Sequence, residues 1–199
     1  MLEIKDILNL QQSKVVDWHS ELILNHEELP WKFIEENNSY NFLLWHEEDM
    51  ARIVDIDPLR IVDAKRNIDR YNQQRNNAIE KIDEWILSYL SFNHIKADST
   101  MHSETPGMMI DRLSIMALKR YHMDVETQRE DASIEHIENC QRKVSVLNEQ
   151  IEDLSNCLVR ILRLLKNGEL RFKVYRQFKM YNDPTLNPQL YSRRQKEIV

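Results

Sequence analysis

Glycine scarcity is the feature that most limits what this chain can fold into. Only Gly107 and Gly168 occur in 199 residues, where average usage of about 7% would give roughly fourteen. A dinucleotide-binding fingerprint needs about three closely spaced glycines and a phosphate-binding Walker loop about two, so the sequence excludes both. Hairpin-rich sandwiches and barrels also depend on turn glycines that the chain lacks. The sequence therefore predicts a mostly helical fold.

Prolines and apolar periodicity divide the chain into helical segments. Pro30 and Pro58 can each open a helix at its first turn, where the missing proline N–H costs nothing. The periodicity predicts helices over about 4–26, 31–53, 58–92, 108–123 and 133–167, with a short basic helix over 169–180. We therefore predict an all-α fold, a single bundle of about five long, mainly antiparallel helices in residues 1–180, followed by an extended C-terminal tail over 181–199.

The charge is acidic in total but unevenly distributed. A net charge of −6 argues against a general nucleic-acid-binding protein. Ten Lys and Arg stand against three Asp and Glu from Arg160 onward, which leaves −13 to the first 159 residues. Such asymmetry indicates either a basic end docked on an acidic body or a surface for a partner.

Nothing in the sequence indicates export or a membrane. No stretch approaches the roughly 18 apolar residues of a spanning helix, and the N-terminal MLEIKDILNL lacks a basic region before an apolar core. Cys140 and Cys157 lie too far apart on one predicted helix to pair with each other, and two free thiols suit a reducing compartment. We expect a cytoplasmic protein without membrane contact.

The fifth predicted helix carries the most regular pattern of the chain. Its apolar residues alternate three and four apart, which is typical of a coiled-coil seam. Either the seam packs inside the chain's own bundle or it forms a homodimer through helix five. The seam consists of Ile137, Cys140, Val144, Leu147, Ile151, Leu154, Leu158, Ile161 and Leu165, and Gly168 follows where a left-handed C-cap would lie.

The predicted helix four is apolar almost all round yet carries Asp111 and Arg112. Buried charges are costly unless paired, so Asp111 is either a structural ion-pair partner or a site carboxylate. The preceding turn, Thr105-Pro106-Gly107, is either a plain helix start or an anion site made of free backbone N–H groups. A helix cap does not require glycine at position 107. Gly107 therefore indicates that another backbone or a ligand approaches closely there.

Helices two and three carry further polar candidates. His46 and Asp49 are three residues apart on one helical face, which suits a base with an orienting acid, half of a metal site or a buried structural histidine. Arg75 lies on the apolar side of helix three, so we expect a buried anionic partner: Asp111, Asp49 or Glu48. A polar stripe along helix three is either a solvated face or part of a site, and it contains Asp69, Gln73, Asn76, Glu80 and Asp83.

Carboxylates on these two helices suggest a metal site. Glu80 and Asp83 on helix three, with Glu47 and Glu48 on helix two, are loosely similar to the paired carboxylates with which all-α nucleoside triphosphate pyrophosphohydrolases hold magnesium. Helix two lacks its own pair at the proper spacing. The cofactor is therefore unknown, and the candidate is a divalent metal at Glu48, Glu80 and Asp83.

Four motifs in order resemble one bacterial family, the domain-of-unknown-function family number 4254. They are LWHEEDMAR (44–52), RNIDRYNQQRNNAIEKID (66–83), SETPGMMIDRLSIMALKRYHM (103–123) and KVYRQFKMYNDPTLNPQLY (173–191). The resemblance implies a helical, cytosolic protein. Through an association with genes for glycosyltransferases of cell-surface polysaccharides, it also implies a link to sugar or nucleotide-sugar metabolism. The family pattern Arg-Asn-Asp reads Arg75-Asn76-Asn77 here, which weakens a metal role at that position.

The basic motif near the C-terminus has two interpretations. It alternates cationic and aromatic residues, which suits a grip on a phosphorylated ligand. The same residues also suit a strap over the acidic body of the protein. They are Lys173, Tyr175, Arg176, Phe178, Lys179 and Tyr181.

Two functions fit these candidates. In the first, the chain binds or turns over an anionic small molecule, phosphorylated or nucleotide-linked, between helices two, three and four. His46 would be the acid–base, Asp49 its orienter and Asp111 a second carboxylate. In the second, the chain is a non-catalytic interaction protein that dimerises through helix five and serves polysaccharide synthesis. The ligand-binding residues of the first are Arg52, Asp69, Asn72, Arg75, Asn76, Thr105, Gly107 and Arg112, with Arg75 and Arg112 as anion clamps.

Overall fold

The computed structural model describes residues 2–90, 95–177, 180 and 183–197, and six helices supply almost all of the regular structure in these ranges. The long helices are α1 (Ile4–Trp18), α2 (Trp31–Met50), α3 (Pro58–Tyr89), α4 (Pro106–Thr127) and α5 (Ile134–Lys166), and a shorter α6 spans Pro188–Glu197. Two short strands, β1 (Thr100–Met101) and β2 (Leu170–Arg171), pair in parallel. The predicted all-α bundle is confirmed. None of the helices in the described ranges is both long and apolar enough to cross a membrane.

Local sequence explains where several of these helices begin and end. The side chains of Asp57, Thr105 and Ser133 each accept a hydrogen bond from a backbone N–H in the first turn of α3, α4 and α5. At the end of α5, Gly168 has a φ of 67°. Its N–H bonds to the carbonyl of Leu165, and that of Glu169 bonds to Leu164. This pair of bonds is a Schellman cap, so the predicted left-handed end of the helix is confirmed.

Six of the nine seam residues of α5 are buried within the chain itself. α5 packs along α4, and the principal core lies where these two helices meet α1 and α3. Val144 and Leu147, in the N-terminal half of the seam, are only partly buried. The burial favours packing inside the bundle over a dimer along the whole seam. The buried members of the seam are Cys140, Ile151, Leu154, Leu158, Ile161 and Leu165.

The prediction that the first helix reaches residue 26 is wrong, because tertiary contacts hold the chain in another path after Trp18. The indole N–H of Trp18 donates to the carbonyl of Ile23 at 3.1 Å. Glu35 of α2 accepts the backbone N–H groups of Asn25 at 2.9 Å and His26 at 2.8 Å. A helix would have used these N–H groups internally, so the buried carboxylate replaces helical hydrogen bonds.

The C-terminal segment also differs from its prediction. The expected basic helix over 169–180 is wrong, because the turn at Gly168 leads into β2 and residues 172–177 follow without regular structure. The side chains of Leu170 and Phe172 are buried, which draws this segment onto the bundle. The expected extended tail contains α6, and Asn187 accepts the N–H of Gln189 just before it. Asn187-Pro188 is thus a helix start like Asp57-Pro58, and the signal was available in the sequence.

Candidate functional site

A pocket of about 350 Å³ lies between α2, α3 and α4. Its polar side chains come from α2 and α3, whereas α4 contributes only the apolar Ile115 and Leu118. Five of the predicted site residues therefore come together here. They are Glu48, Asp49 and Arg52 from α2 and Asn72 and Arg75 from α3, joined by Asn41, Leu44 and Trp45.

Arg75 is the group in this pocket with the most unused hydrogen-bonding capacity. Its side chain is 26% exposed, and its Nε lies 3.9 Å from Oδ1 of Asp111. Nε is buried without a hydrogen-bond partner, and no hydrogen bond engages the guanidinium among the described residues. The other arginine, Arg52, donates to the carboxylate of Glu48 at 2.8 Å. Arg75 therefore lines the pocket with N–H donors that no group of the described residues uses.

Asp111 is the anionic partner expected for Arg75, and it belongs to a buried layer of amides. Asn37 and Asn41 of α2 both donate to its Oδ1, at 2.8 and 2.9 Å. Asn41 also donates to the hydroxyl of Ser114 at 3.1 Å, and that hydroxyl donates to Asn38 at 2.6 Å. Asp111 is 8% exposed and does not line the pocket. The asparagines thus fix a carboxylate at ion-pair distance from Arg75.

Sequence reasoning missed the asparagines of this layer. Asn37, Asn38 and Asn41 lie in the interior of α2 and are at most 4% exposed. Asparagine is a poor helix former because its amide competes for backbone hydrogen bonds. Three of them within five helical positions were therefore a signal of side-chain partners elsewhere in the fold.

The turn before α4 is engaged by a side chain of α3. Asp83 accepts the backbone N–H of Gly107 at 2.7 Å and the hydroxyl of Thr105 at 2.5 Å. A Cβ atom on Gly107 would lie 2.7 Å from the carbonyl oxygen of Ile79, so glycine is required for this close approach of backbone. Burial raises the pKa of the Asp83 carboxyl to about 6, although both hydrogen bonds lower it. The anion expected at this turn is therefore the carboxylate of Asp83 itself. Both of its oxygens accept hydrogen bonds from the turn, so Asp83 is not free to hold a metal.

The remaining predicted ligand residues lie outside the pocket. Asp69 pairs with Lys65 at 2.7 Å, one turn away on α3. Arg112 pairs with Glu104 at 2.5 Å on the exposed side of α4. Asn76 donates to the side chain of a C-terminal residue, Gln177, at 2.8 Å.

The C-terminal segment that follows β2 lies against α3. Arg176 pairs with Glu80 at 2.7 Å and also with Glu84. The backbone N–H of Gln177 donates to Glu80 as well, at 3.2 Å. These contacts match a basic strap on an acidic body, and they engage Glu80, a candidate metal ligand. Of the motif that suggested a phosphate grip, Phe178, Lys179 and Tyr181 lie outside the described residues.

His46 faces away from the pocket, toward two other histidines. His19 caps the C-terminus of α1 and His122 lies on α4, and their ring centroids are 5.2 and 5.8 Å from that of His46. Burial lowers the pKa of His46 and the nearby His19 lowers it further, whereas Asp49 raises it. No hydrogen bond joins His46 to Asp49 among the described residues. The expected catalytic group of His46, Asp49 and Asp111 is therefore divided among three places in the structure.

The three histidines form a cluster that sequence spacing did not reveal. One ring nitrogen from each lies within 4.8 Å of the others. Nδ1 of His19 is 2.6 Å from the carbonyl oxygen of Val15. Nε2 of both His46 and His122 is buried without a hydrogen-bond partner. We call His19, His46 and His122 the histidine cluster.

A larger groove of about 580 Å³ runs between α4 and the N-terminal half of α5. Its surface is almost wholly apolar, with Met123, Val146 and Leu147 among its lining residues. Trp45 borders both this groove and the polar pocket, and its indole stacks on His122 with a centroid distance of 4.6 Å. Polar side chains also border the groove but contribute little of its exposed surface, so the pocket is the better candidate for a small polar ligand. These side chains are Lys119, Glu126, Arg142, Lys143 and Gln150.

The fold and the pocket together define an all-α bundle with a polar cleft enclosed by three of its helices. The chain belongs to the family described as "Protein of unknown function (DUF4254)", whose family model matches residues 31–174. The expected membership of this family is thereby confirmed. Searches of curated proteins and of solved structures find no significant match.

Proposed function

We propose that this protein binds an anionic small molecule in the pocket between α2, α3 and α4. The observation that carries the proposal is Arg75, which lines the pocket with a guanidinium that makes no hydrogen bond among the described residues and lies at ion-pair distance from Asp111. Guanidinium groups match phosphate and carboxylate oxygens with two parallel hydrogen bonds. Arg52, which pairs with Glu48, lines the same pocket from the α2 side.

The other lining residues favour a hydroxyl-rich anion such as a phosphorylated sugar. Glu48 and Asp49 offer carboxylate oxygens, which accept hydrogen bonds from hydroxyl groups, and the amide of Asn72 both donates and accepts. Trp45 adds a flat apolar surface. A volume of about 350 Å³ is near the lower end for ligand pockets. It therefore suits a sugar phosphate better than a complete nucleotide sugar.

The geometry of the pocket favours binding of the ligand over its chemical conversion. A general acid–base must reach its proton within hydrogen-bond distance or through one water. His46, the expected acid–base, does not line the pocket. We place the protein in the cytoplasm, in keeping with its two free thiols, Cys140 and Cys157.

Thermal unfolding of the protein with and without each probe tests the proposal. The probes are inorganic phosphate, a hexose phosphate and a uridine diphosphate sugar. A ligand at 100 times its Kd adds about 2.7 kcal/mol, which for a chain of this size raises Tm by roughly 5–11 °C. We expect the hexose phosphate to give the largest shift. The Arg75→Met protein should lose the shift and Arg75→Lys should keep part of it, because lysine retains charge but not the planar fork.

Arg60→Met is the matched control, since Arg60 is an exposed arginine on the same helix outside the pocket. It should shift as the native protein does. The proposal fails if no probe raises Tm, or if Arg75→Met and Arg60→Met respond alike while both remain folded.

A second candidate is an interaction protein that forms a homodimer through the N-terminal half of α5 and assists polysaccharide synthesis. The observation in its favour is the apolar groove, together with Val146 and Ile134, which are 51% and 76% exposed. Light scattering with size exclusion tests it. A dimer that Val146→Glu converts to monomer supports this function, and a native monomer at high protein concentration rejects it.

A further inference from the structure

We infer that His19, His46 and His122 bind a divalent transition-metal ion, with Zn²⁺ the best match. The three residues come from different elements, the C-cap of α1, the body of α2 and the body of α4. Their burial ranges from exposed for His19 to intermediate for the other two, which gives an ion a route from solvent. The site is separate from the pocket proposed above.

The spacing of the ring nitrogens is close to what a metal requires. All three lie within 4.8 Å of one another. Ligand nitrogens about 2.0–2.1 Å from a tetrahedral Zn²⁺ are about 3.3 Å apart. Each gap must therefore close by at most about 1.5 Å. Shared among the three side chains, that closure is a small movement of each ring.

His19 is held in the tautomer that a metal ligand needs. Nδ1 lies 2.6 Å from the carbonyl oxygen of Val15, so it carries the proton and donates. That carbonyl is available because the N–H of His19 bonds to Val16 instead. Nε2 is then left with its lone pair. A backbone carbonyl that accepts from the second ring nitrogen is the usual support of metal-bound histidine.

His46 and His122 supply an independent observation. Their Nε2 atoms are buried without a partner among the described residues. Unpartnered buried polar atoms are rare in folded proteins and costly. A metal ion shared by both rings would satisfy them together.

Aromatic neighbours hold each imidazole in position. Tyr121 stacks on His19 with a centroid distance of 4.4 Å, and Trp45 stacks on His122 at 4.6 Å. Phe42 meets His46 edge to face at 4.5 Å. Rings restrained in this way lose little side-chain freedom when they bind, which favours affinity.

The ligand type selects the class of metal. Three neutral imidazoles favour Zn²⁺, Co²⁺, Ni²⁺ or Cu²⁺ over Mg²⁺ and Ca²⁺, which prefer oxygen ligands. Three protein ligands also leave a coordination position open for water or another small molecule. This class differs from the magnesium suggested by the acidic residues, of which Glu48, Glu80 and Asp83 already have partners within the chain.

The test is titration of the full-length, tag-free protein, stripped with a chelator, with Zn²⁺ by calorimetry and with Co²⁺ by visible absorption. We expect one ion per chain and the intense absorption of tetrahedral Co²⁺. His19→Gln, His46→Gln and His122→Gln should each lower the affinity at least about 100-fold, since loss of a second-shell partner alone costs 10- to 100-fold. Mg²⁺ should give no signal.

Two control variants keep the result specific. His102→Gln removes a histidine outside the cluster, and His136→Gln removes the ring that lies 3.0 Å from Glu126 and 3.5 Å from Cys140. Both should bind as the native protein does. His19→Gln is the decisive variant, because His19 is exposed and glutamine can also donate to Val15, so the fold is preserved.

The inference is overturned if the native protein binds no Zn²⁺ at neutral pH, since the cluster would then be aromatic packing alone. It is also overturned if His19→Gln retains native affinity, or if His136→Gln abolishes binding. Arg75→Met should leave Zn²⁺ binding unchanged. Failure of the anion pocket and failure of the metal site are therefore distinguishable.

Discussion

Replacing Gly107 with alanine tests whether close contact between α3 and α4 determines the stability of the bundle. The new Cβ would lie 2.7 Å from the carbonyl oxygen of Ile79 and 2.8 Å from the carboxylate of Asp83. Carbon–oxygen contacts are about 3.3 Å at the closest, so the two helices must separate by about 0.6 Å. The oxygen of Ile79 belongs to the backbone of α3 and cannot rotate away.

The expected cost combines three effects. Overpacking of this kind costs about 1–3 kcal/mol, and weakening of the hydrogen bond from Gly107 to the Asp83 carboxyl adds about 1.5–3 kcal/mol. The better helix propensity of alanine returns roughly 1 kcal/mol. We therefore expect the free energy of unfolding to fall by roughly 2–5 kcal/mol.

Urea denaturation followed by circular dichroism measures this change, with Gly168→Ala as the control. Gly168 is the other glycine of the chain and has a φ of 67°, where alanine costs about 1–2 kcal/mol through backbone strain alone. The reasoning is refuted if Gly107→Ala costs less than about 1 kcal/mol. It is also refuted if the two variants are equally stable, because the helices would then adjust without strain.

Three further predictions concern buried or bridging charges. The pKa of Asp83 is about 6 in the fold, against an ordinary value of 3.8. The protonated carboxyl therefore stabilises the fold below about pH 4, and about 3 kcal/mol of that stabilisation is lost as the pH rises through 6. Asp83→Asn should lack this loss, so its stability relative to the native protein should rise between pH 4 and 7 in urea denaturation. Lys14→Met should cost about 3 kcal/mol, because it leaves Glu35, 1% exposed, without its ion pair at 2.8 Å. Arg176→Gln should change Tm by only a few degrees, because the arginine of the ion pairs with Glu80 and Glu84 is exposed to solvent. It should increase proteolysis after β2, because those ion pairs attach this segment to α3.

Each of these three has an outcome that would contradict it. A stability difference between Asp83→Asn and the native protein that does not vary with pH would mean that the carboxyl is not perturbed. The double variant Lys14→Met with Glu35→Gln should recover part of the loss, and no recovery would show that the cost is packing rather than charge. Lys173→Gln, which removes a charge three residues before Arg176, should not change proteolysis. An equal effect of Lys173→Gln and Arg176→Gln would show that net charge matters rather than the ion pairs.

The parts of the fold that could be predicted are those encoded locally. The helix α5 and the cap at Gly168 follow from residues within a few positions of one another, and both are as predicted. Asp111 was one of three partners expected for Arg75, because a charge on an apolar helix face requires compensation. The length of α1 could not be predicted, since Glu35 of another helix redirects the chain after Trp18.

The site depends on positions that only tertiary packing brings together. His19, His46 and His122 are separated by 27 and 76 residues and carry no spacing motif. Contact between Asp83 and Gly107 needs the register of α3 against α4, which periodicity does not specify. The pairing of β1 with β2 involves two residues on each strand, too few for a pattern.

The contacts of α1 with α4 limit how far the chain can be shortened at its N-terminus and still fold. The matched segment starts at residue 31, after α1. Yet Gln11 of α1 donates to the carbonyl of Ile110 at 2.9 Å, and Ile7 and Val15 are wholly buried. A protein trimmed to residues 31–174 would expose that carbonyl and a strip of α4, and it would lack His19. The autonomous unit of this chain is therefore longer than the stretch that identifies its family.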